Sequence, residues 1–204
     1  MQEIKFEEPT KTIIAIADTH NIKVASDNIH YAYKNNVDLF IHAGDSELPP
    51  EELKEYIAVR GNADEKSILP LEVIFSVGNY RVLVSHGHLF IDPYTTKEDI
   101  AEYAKSKGCN VIIYGHTHRY IDDVVDGVRL LNPGAIESRA STYMEICISK
   151  NDIFVFPKSY FDLMEKHMHP AKEKAEEIPA VKPAEIPAVK YAEDDFVIGD
   201  FIVA

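Results

Sequence analysis

Five short apolar runs, each ending on residues able to bind a metal, constrain this chain more than anything else in it. "TIIAIA" (12–17) leads into Asp18-Thr19-His20, "DLFIHAG" (38–44) into Asp45, and "IAVRG" (57–61) into Asn62. "YRVLVS" (80–85) leads into His86, and "NVIIYG" (110–115) into His116-Thr117-His118. Short apolar, β-branched runs bounded by turn residues read as buried strands. In open α/β sheets the carboxyl ends of the strands line one crevice, where ligands bind. The five runs therefore aim seven ligand-type side chains at one edge.

The stretches between the runs fill in a fold. Residues 22–35 and 96–107 read as helices, the second stopped by Gly108, and "PPEELKEY" (49–56) reads as the opening of another. "LEVIFSV" and "YRVLVSHG" flank Gly78-Asn79, a hairpin turn. A second hairpin turns at Asp126-Gly127, and a third joins "YMEICIS" to "DIFVFP" through "KND". Early β-α-β alternation followed by hairpins predicts an α/β domain of mixed sheets with helices outside, over residues 1–165. Composition then changes. "EIPAVK" occurs at 177–182 and 185–190, so 166–204 reads as a Pro/Ala/Lys/Glu linker tail with an apolar end, "DDFVIGDFIVA". That end is either a frayed terminus or a strand added to this subunit or to a neighbouring copy, in which case it builds a homo-oligomer.

Each ligand candidate has a plainer reading when taken alone. Asp18 or Thr19 could cap the next helix, Gly44-Asp45 and Gly61-Asn62 could be turns, and His86 a polar strand end. The ordered conjunction after five strand-like runs is what favours a site. Imidazole, carboxylate and amide donors without thiolate suit borderline divalent ions. Seven donors exceed the three or four that one catalytic ion takes, but fit two ions sharing a carboxylate. Two ions about 3.5–4 Å apart can activate a water and clamp both oxygens of an in-line displacement at phosphorus. The glycines before Asp45, Asn62 and His116 let the backbone turn sharply where each ligand projects.

Bulk properties exclude other classes. A net charge of −13 disfavours nucleic-acid binding as the main activity. Cys109 and Cys147 form no paired motif, which argues against a disulfide scaffold and suits a reducing compartment. No signal-peptide core and no membrane span is evident, so a cytoplasmic protein without membrane partners is the expectation. His30 reads as solvated and His42 as a satisfied core histidine, while His167 and His169 are weak metal candidates. The aromatic residues read as structural.

The ordered strings "IADTHN", "HAGD", "RGNAD", "VSHGH" and "GHTHR" resemble the calcineurin-like metallophosphoesterase superfamily, most closely its small bacterial and archaeal phosphodiesterase branch. The resemblance covers residues 12–157 and implies a four-layer αββα sandwich with a dinuclear site. By motif, Asp18, His20 and His118 would hold the first metal, Asn62, His86 and His116 the second, and Asp45 would bridge them. A metal-bridging hydroxide would attack a small phosphoester substrate. Manganese is the expected ion, with iron, zinc, nickel or cobalt as alternatives. Two positions depart from the pattern. Asn21 stands where a glycine is usual, and Asn tolerates the left-handed turn. Ala63-Asp64 follows Asn62 where phosphoprotein phosphatases carry a histidine, which removes the usual general acid and favours activated leaving groups or diesters. His88 is a substitute proton donor and Arg119 a contact for substrate phosphate, both on weaker grounds. A retromer subunit of similar fold serves in protein assembly, so an interaction scaffold with little catalysis is the alternative.

Overall fold

Alternate residues of strand β2 (Lys11–Ile16) point opposite ways, yet both sets are apolar: Ile13 and Ala15 pack in one buried cluster, Ile14 and Ile16 in another. A strand apolar on both faces needs a covering layer on each side. In the computed structural model, which describes residues 3–5, 10–64 and 68–168, those layers are a second sheet and a pair of helices.

In the first sheet β2 pairs in parallel with β3 (Leu39–His42), which pairs in parallel with β4 (Ile57–Ala58), and on its other side β2 pairs antiparallel with β10 (Thr142–Ile148), the inner strand of a hairpin with β11 (Ile153–Ser159). The second sheet has six strands. Its order is β1 (Glu3–Lys5), β5 (Glu72–Val77), β6 (Tyr80–Ser85), β7 (Val111–Tyr114), β9 (Val128–Pro133) and β8 (Tyr120–Val125). Here β6, β7 and β9 run parallel. Between the sheets, Ile13, Ala15 and Ile41 meet Val82, Val84 and Ile113 in one buried cluster. Each such Ile, fully buried, contributes about 1.5–3 kcal/mol.

Helices close both outer faces. Helix α1 (Lys23–Tyr33) and helix α3 (Tyr160–Met168) cover the five-stranded sheet through Ala25, Ile29 and Leu163. Helix α2 (Lys97–Ser106) covers the six-stranded sheet through Ile100, Ala101 and Ala104, and Thr96 and Asp99 form a capping box at its start. The chain is thus an αββα sandwich, as the resemblance implied.

Several local expectations change. "PPEELKEY" is only a 3-10 turn, Pro50–Glu52, because the short stretch before β4 leaves no room for a stable helix once Leu53 turns inward. The "IAVRG" strand pairs over two residues, after which Arg60 N bonds to Pro70 O and the chain leaves the sheet edge. His30 is only half-solvated: one side of its ring packs edge-on against Phe40 at 4.8 Å while the side chain stays 27% exposed. Not every aromatic is structural, since Phe154, Phe156, Phe161 and Tyr94 are exposed. Strand β1 and helix α3 are additions to the elements read from sequence. Residues 169–204, and with them the linker, His169 and the tail's role in a homo-oligomer, lie outside the described residues, as does the side chain of His167.

Candidate metal centre

The loops after β2 and β3 are laced together: Asp18 N donates to Gly44 O at 3.0 Å, His20 N to Asp45 O at 3.1 Å, and Asn21 N to Ser46 O at 2.8 Å. Positive φ angles concentrate here, at Asp18, His20, Asn21, Asp45, Glu47, His116 and His118. A non-glycine residue in that region costs about 1 kcal/mol or more, and such strain persists where the surroundings hold it. The helix-cap reading of Asp18 and Thr19 fails, because the N-cap of α1 is Ile22, without a side-chain cap.

Two of the flanking glycines serve a purpose other than bending. Gly61 and Gly115 are required for space. A Cβ on Gly61 would collide with Asp45 Oδ1, and one on Gly115 would lie 2.9 Å from both Asp18 Oδ2 and Ala43 O.

Donor atoms of Asp18, His20 and His118 lie within 4.8 Å of one another, as do those of Asp18, Asp45 and His86. Asp18 is common to both groups. His118 Nε2 stands 3.2 Å from Asp18 Oδ1, and His86 Nε2 stands 3.2 Å from Asp45 Oδ2 and 3.9 Å from Asp18 Oδ1. Asp18 and His86 are fully buried. His86 Nδ1 donates to the Ala43 carbonyl at 2.8 Å, which leaves Nε2 with a lone pair turned toward the carboxylates. Asp18 Oδ1, His86 Nε2 and His20 Nε2 are buried without a well-formed hydrogen bond among the described residues. Buried polar atoms are ordinarily satisfied, and one cation at each donor group would satisfy all three. The donor set therefore fits divalent metal.

Electrostatics follow from this crowding. Burial pushes Asp18 up to about 6, against the pull of His86 and His118. Asp45 is also burdened by burial, but His86 beside it holds its carboxyl below the usual value. Burial lowers His86, and the Asp45 and Asp18 carboxylates more than reverse this, so it ends raised. His20 follows the same course, lifted mainly by Glu47 at 2.7 Å. Burial and then His86 push His116 and His88 down. Neutral imidazoles are what metal coordination needs.

The remaining sequence candidates sit at varying remove. His116 joins neither group through its ring, whose centroid is 5.2 Å from that of His86, while its backbone N donates to Asp18 Oδ2 at 3.2 Å. Asn62 is exposed on the loop after β4, beside Ala63, whose N donates to Asp45 Oδ1 at 2.7 Å. His88 lies 5.5 Å from His86, ring to ring, with its Nδ1 buried and unpartnered. Arg119 is exposed on the same turn as His118.

Sequence reasoning missed the scaffold around these groups. The buried Asp64 carboxylate accepts from Asp45 N, Glu47 N, Gly61 N and Ser46 Oγ, all within 3.1 Å. Buried Asn132 donates to Gly115 O and Thr117 Oγ1 and so fixes the His116–His118 turn. Glu47 and Glu137 flank His20. The only signal for Asp64 was its place in "RGNAD"; Asn132, Glu47 and Glu137 had none, because their partners are distant in sequence.

Residues 12–151 match the model of the calcineurin-like phosphoesterase superfamily domain, and the chain belongs to that family. It is a metallophosphoesterase, a hydrolase of phosphoric esters that depends on divalent metal. It is 33% identical over 126 residues to the probable metallophosphoesterase YsnB of Bacillus subtilis, covering 61% of this chain and 74% of that one. It is 25% identical over 134 residues to a phosphodiesterase of Methanocaldococcus jannaschii, covering 65% and 71%. Among solved structures, a conserved uncharacterized protein of Streptococcus pneumoniae described as a predicted phosphoesterase superposes with a TM-score of 0.68 at 25% identity, covering 74% of this chain and 91% of that one. No helix among the described residues is long and apolar enough to cross a membrane.

Proposed function

We propose that this chain hydrolyses phosphodiesters at a pair of divalent cations, manganese foremost. The observation that carries the reading is the meeting of two donor groups at one buried carboxylate, Asp18, with three unsatisfied donor atoms turned into the gap. Asp18, His20 and His118 would hold one cation and Asp45, His86, Asn62 and His116 the other, with Asp18 and Asp45 between them. When bound, such cations supply an acidified water as nucleophile and neutralise charge on the phosphoryl oxygens.

The protein's own residues orient this chemistry. Ala43 fixes the tautomer of His86, Asp64 holds the Asp45 loop, and Asn132 holds the turn that presents His116 and His118. Diester preference follows from the same residues. Ala63 stands directly after Asn62, where a general-acid histidine is usual, and its methyl group has no proton to give, while the Asp64 carboxylate next to it is taken up by four donors from the Asp45 and Gly61 loops. Good leaving groups are then favoured, with His88 the nearest proton donor. The name of the archaeal relative supports the same choice. No replacement among the seven donor positions favours the scaffold alternative.

The test is direct. Protein stripped of metal and resupplied with manganese should hydrolyse bis(4-nitrophenyl) phosphate, with activity returning in step with bound metal. Inactivity with manganese, iron, zinc, nickel and cobalt alike would remove the reading.

A further inference from the structure

Beside the candidate metal centre lies a cleft of about 540 Å³ that the chemistry above leaves unused. It runs between the start of α2, the 91–95 loop and the end of β7, and His116 forms part of its wall. The volume falls within the range of small-molecule sites, about 300–1,000 Å³. Its lining is mixed, and Ile91, Pro93, Ile100, Tyr114 and Ile121 supply the apolar part.

The polar groups on its walls are nearly all committed to one another. Lys97 is paired with Asp123 at 2.6 Å. Asp92 accepts from Tyr94 N at 2.8 Å and Thr95 Oγ1 at 2.9 Å. Thr117 Oγ1 accepts from Asn132 at 3.1 Å. Two groups remain. Tyr114 lines the cleft and its buried hydroxyl has no hydrogen-bond partner among the described residues, and Arg119, at the wall, makes no ion pair or hydrogen bond among them either. An apolar part, a buried hydroxyl in want of a partner and one uncommitted guanidinium are what a flat organic group attached to an anion would use.

We infer that this cleft receives one ester arm of the substrate, so that the preferred substrates are phosphodiesters carrying an aromatic or nucleoside-sized arm, with Arg119 binding the anionic end. This rests on the phosphodiesterase reading and narrows it from any diester to those with a bulky, flat arm. A small dialkyl phosphate leaves the cleft empty and forfeits that contact.

Two measurements test it on the full-length protein. The first compares kcat/KM for bis(4-nitrophenyl) phosphate and methyl 4-nitrophenyl phosphate, each divided by its uncatalysed hydrolysis rate and the former halved for its two equivalent leaving groups, so that the ratio reports the other arm. The wild type should favour the bis-aryl ester at least about tenfold, as burial of an aryl ring implies. I121W, which fills the cleft, should bring the ratio below about threefold. The second measurement needs no turnover. In the zinc-loaded protein, diphenyl phosphate should shift the δ1-methyl NMR signals of Ile91, Ile100 and Ile121, dimethyl phosphate should not, and R119A should bind diphenyl phosphate several-fold more weakly. Methyl shifts in a protein inactive with every ion would support the cleft and sink the hydrolysis reading. Hydrolysis of both diesters at rates within about twofold, or diphenyl phosphate leaving those three methyls unmoved, would overturn the cleft and leave hydrolysis standing.

Discussion

His42 offers a quantitative prediction that is independent of catalysis. Its ring is fully buried; Nε2 meets Thr19 Oγ1 at 3.0 Å, while Nδ1 has no partner among the described residues. A protonated ring would strand an N–H, and burial accordingly pushes His42 down to about 4 from 6.5. The sign is fixed by linkage. The unfolded chain takes up a proton as pH falls through 6.5, whereas the folded chain resists until about 4, so stability is full above 6.5 and drains away across that window. The loss attributable to this ring is about 2 kcal/mol near pH 5 and about 3 kcal/mol near pH 4. H42Q keeps a partner for Thr19 and cannot titrate. Urea unfolding of metal-stripped wild type and H42Q should therefore show the wild type losing about 2 kcal/mol more than the variant between about pH 7.5 and 5. Other titrating groups are common to both proteins and cancel in the difference. Curves that run parallel within about 0.5 kcal/mol would refute the claim that burial keeps the ring neutral.

Other consequences are simpler to measure. D18N removes the carboxylate common to both donor groups, and should lower bound metal and phosphodiesterase activity by about 100-fold or more, read by elemental analysis and turnover. G61A drives a methyl into the Asp45 carboxylate; metal affinity should fall at least about tenfold, while circular dichroism stays that of the folded protein. I113A opens a cavity between the two sheets and should cost about 2–5 kcal/mol in urea unfolding. Chelation should lower the melting temperature, and manganese at about 100 times its dissociation constant should restore about 2.7 kcal/mol.

The layers were legible because strand and helix signals here are local. β7 is an uninterrupted apolar run and β2 and β6 are apolar through their centres, Asp126-Gly127 adopts the positive φ pair that a tight hairpin turn demands, and Thr96 with Asp99 announces α2. The five candidates that gather at Asp18 were legible because they lie within a few residues of a strand end. What escaped was non-local. Asp64 matters through bonds to residues up to 19 positions away, and Asn132 through a turn 15 to 17 positions away; nothing in a linear reading links them. The glycines were found but misread, since the crowding at Gly61 and Gly115 comes from Asp45 and Asp18, which only the fold brings near. Helix α3 was passed over because, among its described side chains, Leu163 alone is buried and gives little period to read.

Asp18, Asp45 and Asn62 leave strands of one sheet, and His86, His116 and His118 leave strands of the other. A cation gripped by both sets would act as a rivet through the sandwich at a single rim. The two halves could then shear or breathe only about that pinned end, so cation loss should register far from the rim, as faster amide exchange in strands that touch no ligand.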